Sequence, residues 1–124
     1  MATWTDWSIL VVDDEITLRE ILVDEFDYLG AKTYEASDGL EALKVLKEKK
    51  IDAIVSDVRM PNMDGIALVK EIQKQLQAPP PILLLSGYTD ITKDEAKEIG
   101  AVDLMDKPWE MDKLLSVLDD AINK

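Results

Sequence analysis

Ile9-Leu10-Val11-Val12-Asp13-Asp14 is a run of four branched aliphatic residues that ends on two carboxylates. Three further runs end as abruptly. Ile51-Asp52-Ala53-Ile54-Val55-Ser56 stops at Asp57, Pro81-Ile82-Leu83-Leu84-Leu85 at Ser86-Gly87, and Val102-Asp103-Leu104-Met105-Asp106 at Lys107-Pro108. Apolar runs of this length read as strands buried on both faces. A weaker strand is expected over 31–36. Between the strands, apolar residues recur at helical spacing. The first such segment carries Ile16, Leu18, Ile21, Leu22, Val23, Phe26 and Leu29 and closes at Gly30. The second follows Ser37-Asp38-Gly39, with Leu40, Leu43, Val45 and Leu46 as its inner face. The third carries Ile66, Leu68, Val69 and Ile72. A fourth, capped by Thr89 or Asp90, runs to Ile99, and a fifth spans 109–123 with Met111, Leu114, Leu115, Leu118 and Ile122 inside. The order predicts an α/β fold, (βα)5, with a five-stranded parallel sheet covered by helices on both sides. Right-handed crossovers put the C-terminal end of every strand on one edge, where open α/β sheets bind ligands. The four stops therefore converge.

Composition narrows the function. The chain has 124 residues, 47% hydrophobic and 32% charged, which suits one globular domain over 1–124. No apolar stretch approaches the ~20 residues needed to cross a bilayer, and the first residues lack the pattern of a secretory signal. Cysteine is absent, which fits a cytoplasmic setting. The net charge is −12 and the only arginines are Arg19 and Arg59. Direct nucleic-acid binding needs clustered basic residues, so none is expected, nor is a membrane partner. Histidine is also absent, which removes imidazole as base, nucleophile or metal ligand.

Taken singly, Asp13 and Asp14 read as acids at a helix start, Ser86 as a turn cap and Lys107 as a surface lysine. Their convergence changes the reading. Three carboxylates at one edge repel unless they are protonated or neutralised by a cation. Oxygen-only ligands select a hard ion, Mg²⁺ (or Mn²⁺), which keeps positions open for phosphoryl oxygens. Lys107 can neutralise Asp57 or hold a phosphoryl oxygen, and the Ser86 hydroxyl can reach the same group.

Four motifs carry a resemblance: Leu10-Val11-Val12-Asp13-Asp14-Glu15, Asp57-Val58-Arg59-Met60-Pro61-Asn62-Met63-Asp64-Gly65, Leu85-Ser86-Gly87-Tyr88 and Lys107-Pro108-Trp109. The chain resembles, from Ile9 to its last helix, the receiver domain of two-component response regulators of the chemotaxis-regulator type. The resemblance implies a flavodoxin-like sheet in the order 2-1-3-4-5 and a signalling role rather than an enzyme's. It implies that Asp57 accepts a phosphoryl group from a phosphohistidine of a sensor histidine kinase or a histidine phosphotransfer protein. Asp14 would hold Mg²⁺ directly, Asp13 mainly through water, and the Arg59 backbone carbonyl would add a ligand beside Asp57. Lys107 and Ser86 would bind the phosphoryl group, and the Lys107–Pro108 bond would be cis. The output would be a downstream protein target, with a phosphorylation-dependent dimer as one form of it.

The chain departs from the family at Leu104, where relatives usually carry an aromatic switch residue, and at Trp109, where Phe is common. Tyr88 and Arg59 are expected to flank the mouth of the site and limit attack by water. A haloacid-dehalogenase-like phosphatase would want a second Asp where Arg59 stands. A flavin-binding domain would want a Ser/Thr/Gly phosphate loop in place of Asp13-Asp14-Glu15, whose charges repel phosphate. A phosphorylation-independent interaction domain would not need the complete set of five. A stand-alone receiver and a module of a larger regulator or hybrid kinase both accommodate the sequence.

Overall fold

The computed structural model describes residues 3–87 and 91–124. After a 3₁₀ turn at Trp4–Asp6, strands and helices alternate: β1 (Ser8–Val12), α1 (Ile16–Tyr28), β2 (Lys32–Ala36), α2 (Gly39–Glu48), β3 (Ala53–Asp57), α3 (Gly65–Gln75), β4 (Ile82–Ser86), α4 (Lys93–Ile99), β5 (Asp103–Asp106) and α5 (Met111–Ile122). All pairings are parallel, in the order β2-β1-β3-β4-β5. This is the doubly wound order expected above. The register sets Val12 beside Ser56, Asp57 beside Leu85 and Ser86 beside Asp106, so the strand ends lie level along one edge.

Side chains of a strand alternate between faces, and the numbering shows it. Even positions Leu10, Val12, Ile54, Ile82, Leu84 and Leu104 pack with Ala42, Leu68, Val69, Ile72 and Ala96 of α2, α3 and α4. Odd positions Ile9, Val11, Val55, Leu83, Leu85 and Met105 pack with Leu22, Phe26, Leu114 and Leu118 of α1 and α5. Burying each large aliphatic or aromatic side chain contributes about 1.5–3 kcal/mol, so two populated faces make the sheet the rigid centre. At the edge away from the strand stops, Trp4 meets Trp7 edge-on at 4.9 Å and leans on Phe26 at 5.7 Å.

Several helix expectations need correction. In α1, Ile16 and Ile21 are 61% and 48% exposed. The buried stripe is Leu22 and Phe26, one helical turn apart, and Ile21 instead lines an apolar groove of about 480 Å³ with Leu18, Pro108, Trp109 and Met111. In α2, Leu40 is 48% exposed and the small residues Gly39 and Ala42 are buried, because α2 lies close against its neighbours. Helix α4 starts later than expected, since Thr92 and Glu95 form a reciprocal capping box. Thr89 and Asp90 lie outside the described residues. Helix α5 starts at Met111, two residues after Trp109, with Glu110 as its N-cap. Strands β2, β3 and β5 begin one or two residues late, and β3 and β4 each extend by one to include Asp57 and Ser86.

Candidate functional site

The edge where the strands stop gathers Asp13 and Asp14 after β1, Asp57 ending β3, Ser86 ending β4 and Lys107 after β5. Asp13, Asp57 and Ser86 are buried at 1%, 6% and 3% exposure, and Asp14 is exposed. Carboxylate oxygens of Asp13, Asp14 and Asp57 lie within 4.8 Å of one another. The Lys107 ammonium is 3.0 Å from Asp57 Oδ2 and 3.8 Å from Asp13 Oδ2. A cleft of about 260 Å³ opens over the group, lined also by Glu15, Arg59 and Gly87.

Backbone contacts hold these side chains in place. The Asp13 amide donates to Ala36 O at 3.1 Å, and Arg19 Nη1 donates to Asp13 O at 2.7 Å while its Nε pairs with Glu35 at 2.9 Å. The Ser56 hydroxyl donates to the carbonyl of Asp57. That carbonyl is also where glycine is required: a Cβ on Gly65 would collide with Asp57 O, and the Gly65 amide donates to Val58 O at 2.9 Å. The Lys107 amide donates to Ser86 O at 2.9 Å, so the hydroxyl and the ammonium share one backbone link. The Lys107–Pro108 bond is cis.

Electrostatics at the edge is unbalanced. Asp13 Oδ1 accepts the Glu15 amide at 2.9 Å, but Oδ2 is buried without a hydrogen-bond partner, alone in this among the described residues. Burial pushes the Asp13 carboxyl up to about 6, with the charges of Asp57 and Asp14 adding to it; the Glu15 amide and Lys107 oppose the rise. Burial also works against the charge on Lys107, yet its hydrogen bond to Asp57 and the charges of Asp13, Asp57 and Glu15 outweigh that and hold it above the usual lysine range. A buried carboxylate oxygen without a donor, facing two more carboxylates, is a site short of positive charge. Its all-oxygen donor set fits a hard divalent cation.

The model matching residues 9–119 is that of the response regulator receiver domain. The chain belongs to this family. The receiver is 37% identical over 121 residues to the transcriptional regulatory protein FixJ of Bradyrhizobium diazoefficiens, covering 97% of this chain and 58% of FixJ. It is 31% identical over 108 residues to sporulation initiation phosphotransferase F of Bacillus subtilis, with 86% of each chain covered. Its fold superposes on the chemotaxis response regulator CheY4 of Vibrio cholerae with a TM-score of 0.82 at 35% identity, over 93% of this chain and 98% of that one. The receiver thus spans little more than half the length of FixJ.

The structure brings all five edge residues of the receiver together. Leu104 is buried, 6% exposed, in the cluster beneath α3 and α4, and Trp109 packs half-buried beside the α1–α5 core. Arg59 is exposed at the cleft. Tyr88 lies outside the described residues. Two contributors were not singled out from the sequence. Glu15 lines the cleft and gives its amide to Asp13. Arg19 follows Glu15 by four residues, a spacing that places both on one face of α1. Among the described residues, no helix is long and apolar enough to cross a membrane.

Proposed function

We propose that this receiver accepts a phosphoryl group on Asp57 from the phosphohistidine of a sensor histidine kinase or histidine phosphotransfer protein, assisted by Mg²⁺ or Mn²⁺. The observation that supports this best is a nucleophilic carboxylate in an open cleft, held 3.0 Å from an ammonium and within 4.8 Å of two more carboxylates. Asp14, Asp57 and the Arg59 carbonyl would hold the cation, with Asp13 joining mainly through water. When bound, the cation neutralises charge on the phosphoryl oxygens and lowers the repulsion between them and the acids.

One Asp57 oxygen forms the P–O bond as the P–N bond of the donor breaks. The electron pair stays on the leaving imidazole, which takes up a proton. Lys107 pairs with a phosphoryl oxygen, and Ser86 donates its hydroxyl to another. Because Ser86 O holds the Lys107 amide, movement of one is felt by the other. Arg59 stands over the cleft, where with Tyr88 it would shield the acyl phosphate from water. Leu104 offers no ring to report the change, so coupling to the surface runs through Ser86 and the backbone. The readout is a protein target or a second copy of the chain, residues 1–124 act as one domain, and the setting is the cytoplasm.

The test is incubation of the chain with Mg²⁺ and a small phosphodonor such as acetyl phosphate, followed by intact-mass analysis. One phosphoryl group labile to base and to hydroxylamine is expected, and chelating the metal beforehand should prevent its uptake. No uptake in Mg²⁺ would refute the proposal.

The apolar groove lined by Leu18, Ile21, Pro108, Trp109 and Met111 adjoins Lys107. An exposed apolar patch at the mouth of a site is where a protein donor would rest. Ile21→Glu is expected to slow transfer from a histidine phosphoprotein about 10-fold, the effect of losing roughly 1.4 kcal/mol of contact. Uptake from acetyl phosphate should be unchanged. Equal slowing with both donors would place Ile21 in folding rather than docking.

A further inference from the structure

We propose that Asp38 is a positioning residue for the cation at the Asp13–Asp14–Asp57 site, acting through Asn62 on the loop between β3 and α3. The inference rests on the phosphoacceptor reading above, because that loop carries the Arg59 carbonyl.

The loop, residues 58–64, lies outside the sheet and exposes Arg59, Pro61, Asn62 and Asp64. Its base is closed by the Gly65 amide on Val58 O. Its apex is held from outside, by the junction between β2 and α2. Asp38 is 6% exposed and uses both oxygens: Oδ1 accepts the Glu41 amide at 2.9 Å, capping α2, and Oδ2 accepts Asn62 Nδ2 at 2.7 Å. Beside this pair the Gly39 amide donates to Met63 O at 2.9 Å, and a Cβ on Gly39 would fall 2.5 Å from Met63 Cγ. Between them the backbone makes a tight turn, with the Met63 amide on Pro61 O at 2.7 Å.

Two features go beyond what a helix cap needs. A cap uses one acceptor oxygen, which Ser or Thr supplies as well; the second oxygen of Asp38 is committed to the loop. Asn62 has φ +67°, the one positive φ on a non-glycine among the described residues. Asn tolerates that conformation better than most residues, yet it is still sparsely populated and persists where surrounding contacts over-determine it. The Glu41 amide and the Asn62 side chain hold the Asp38 carboxyl below the usual range, so the latch is a charge-assisted hydrogen bond. Asp38 thereby sets the path of the chain three residues beyond Arg59, and through it the direction of the Arg59 carbonyl.

Asn62→Asp separates latch geometry from plain electrostatics. It sets two carboxylates against each other and opens the latch, while adding negative charge near the acidic edge. Charge alone would tighten Mg²⁺ binding; loss of the latch weakens it, by about 10-fold as for other groups that orient metal ligands. The readout is the Mg²⁺ dissociation constant of the unphosphorylated chain by titration calorimetry. Asp38→Asn combined with Asn62→Asp exchanges donor and acceptor, keeps the α2 cap and should restore affinity to near the starting value. Gly39→Ala, which displaces Met63 without changing charge, should weaken binding as well. Thr92→Ala, which uncaps α4, should lower stability and leave the constant unchanged. Unchanged or tighter binding in Asn62→Asp, or no recovery in the exchanged pair, overturns the positioning role while the phosphoacceptor reading stands. Failure of the unaltered chain to bind Mg²⁺ overturns both.

Discussion

Asp57→Asn is expected to take phosphate incorporation to background, from acetyl phosphate and from a histidine phosphoprotein alike. The amide keeps the size of the carboxylate and can still meet Lys107, so the fold at the end of β3 should persist. What disappears is the anionic oxygen proposed to bond to phosphorus. Neighbouring acids are poor substitutes: Asp13 is 1% exposed with one oxygen tied to the Glu15 amide, and Asp14 is exposed to solvent. Intact mass before and after donor treatment reads the result, with a urea titration confirming that the variant is folded. Uptake at the unaltered level would move the acceptor elsewhere and remove the basis for Asp57.

Asp13→Asn is expected to stabilise the metal-free protein by about 1–3 kcal/mol near pH 7. The reasoning is linkage. The folded carboxyl titrates at about 6 against an ordinary 3.8. Between these values the folded state binds the proton and the unfolded state does not, so stability falls as pH rises through the window. Above pH 6 the full penalty of ionising a buried acid remains, at about 1.4 kcal/mol per pKa unit. The difference in unfolding free energy between the two proteins should therefore be near zero below pH 4, grow between pH 4 and 6, and level off above. Mg²⁺ should reverse the order, since a ligand that binds only the folded state stabilises it by mass action and the variant binds it less. Urea denaturation across pH, with and without Mg²⁺, measures both effects. A flat difference across the window would show that the buried oxygen of Asp13 is not the source.

These effects explain what was readable in the sequence. The strands were legible because burial on both faces forces near-continuous apolar runs, and their abrupt ends marked the edge. Asp13, Asp14, Asp57, Ser86 and Lys107 stood out because each stands at the abrupt end of such a run. The helices were less legible. Ile16, Ile21 and Leu40 have apolar side chains at plausible helical positions, yet the contact is made by Leu22, Phe26 and Ala42, whose selection depends on how closely each helix approaches the sheet. Helix starts depended on capping: Thr92 has Glu95 three residues later, a signal present in the chain but outweighed by nearer candidates. The contacts of Asp38 with Asn62 and of Arg19 with Glu35 were not legible. They join residues from separate elements, and a single sequence carries no mark of such pairs.

The alternation of side chains along the strands has a consequence for how a signal could travel. Asp57 ends a strand at an odd position, in step with Val55 toward α1 and α5. Ser86 ends its strand at an even position, in step with Leu84 toward α2, α3 and α4. The proposed phosphoacceptor and the hydroxyl proposed to answer it thus belong to opposite layers. The sheet acts as a partition with one gap in it, at the edge. On the proposed reading an event arriving from the α1–α5 side would cross there and be felt on the other side, because Asp57 stands level with Leu85 and Ser86 lies one residue further along its strand.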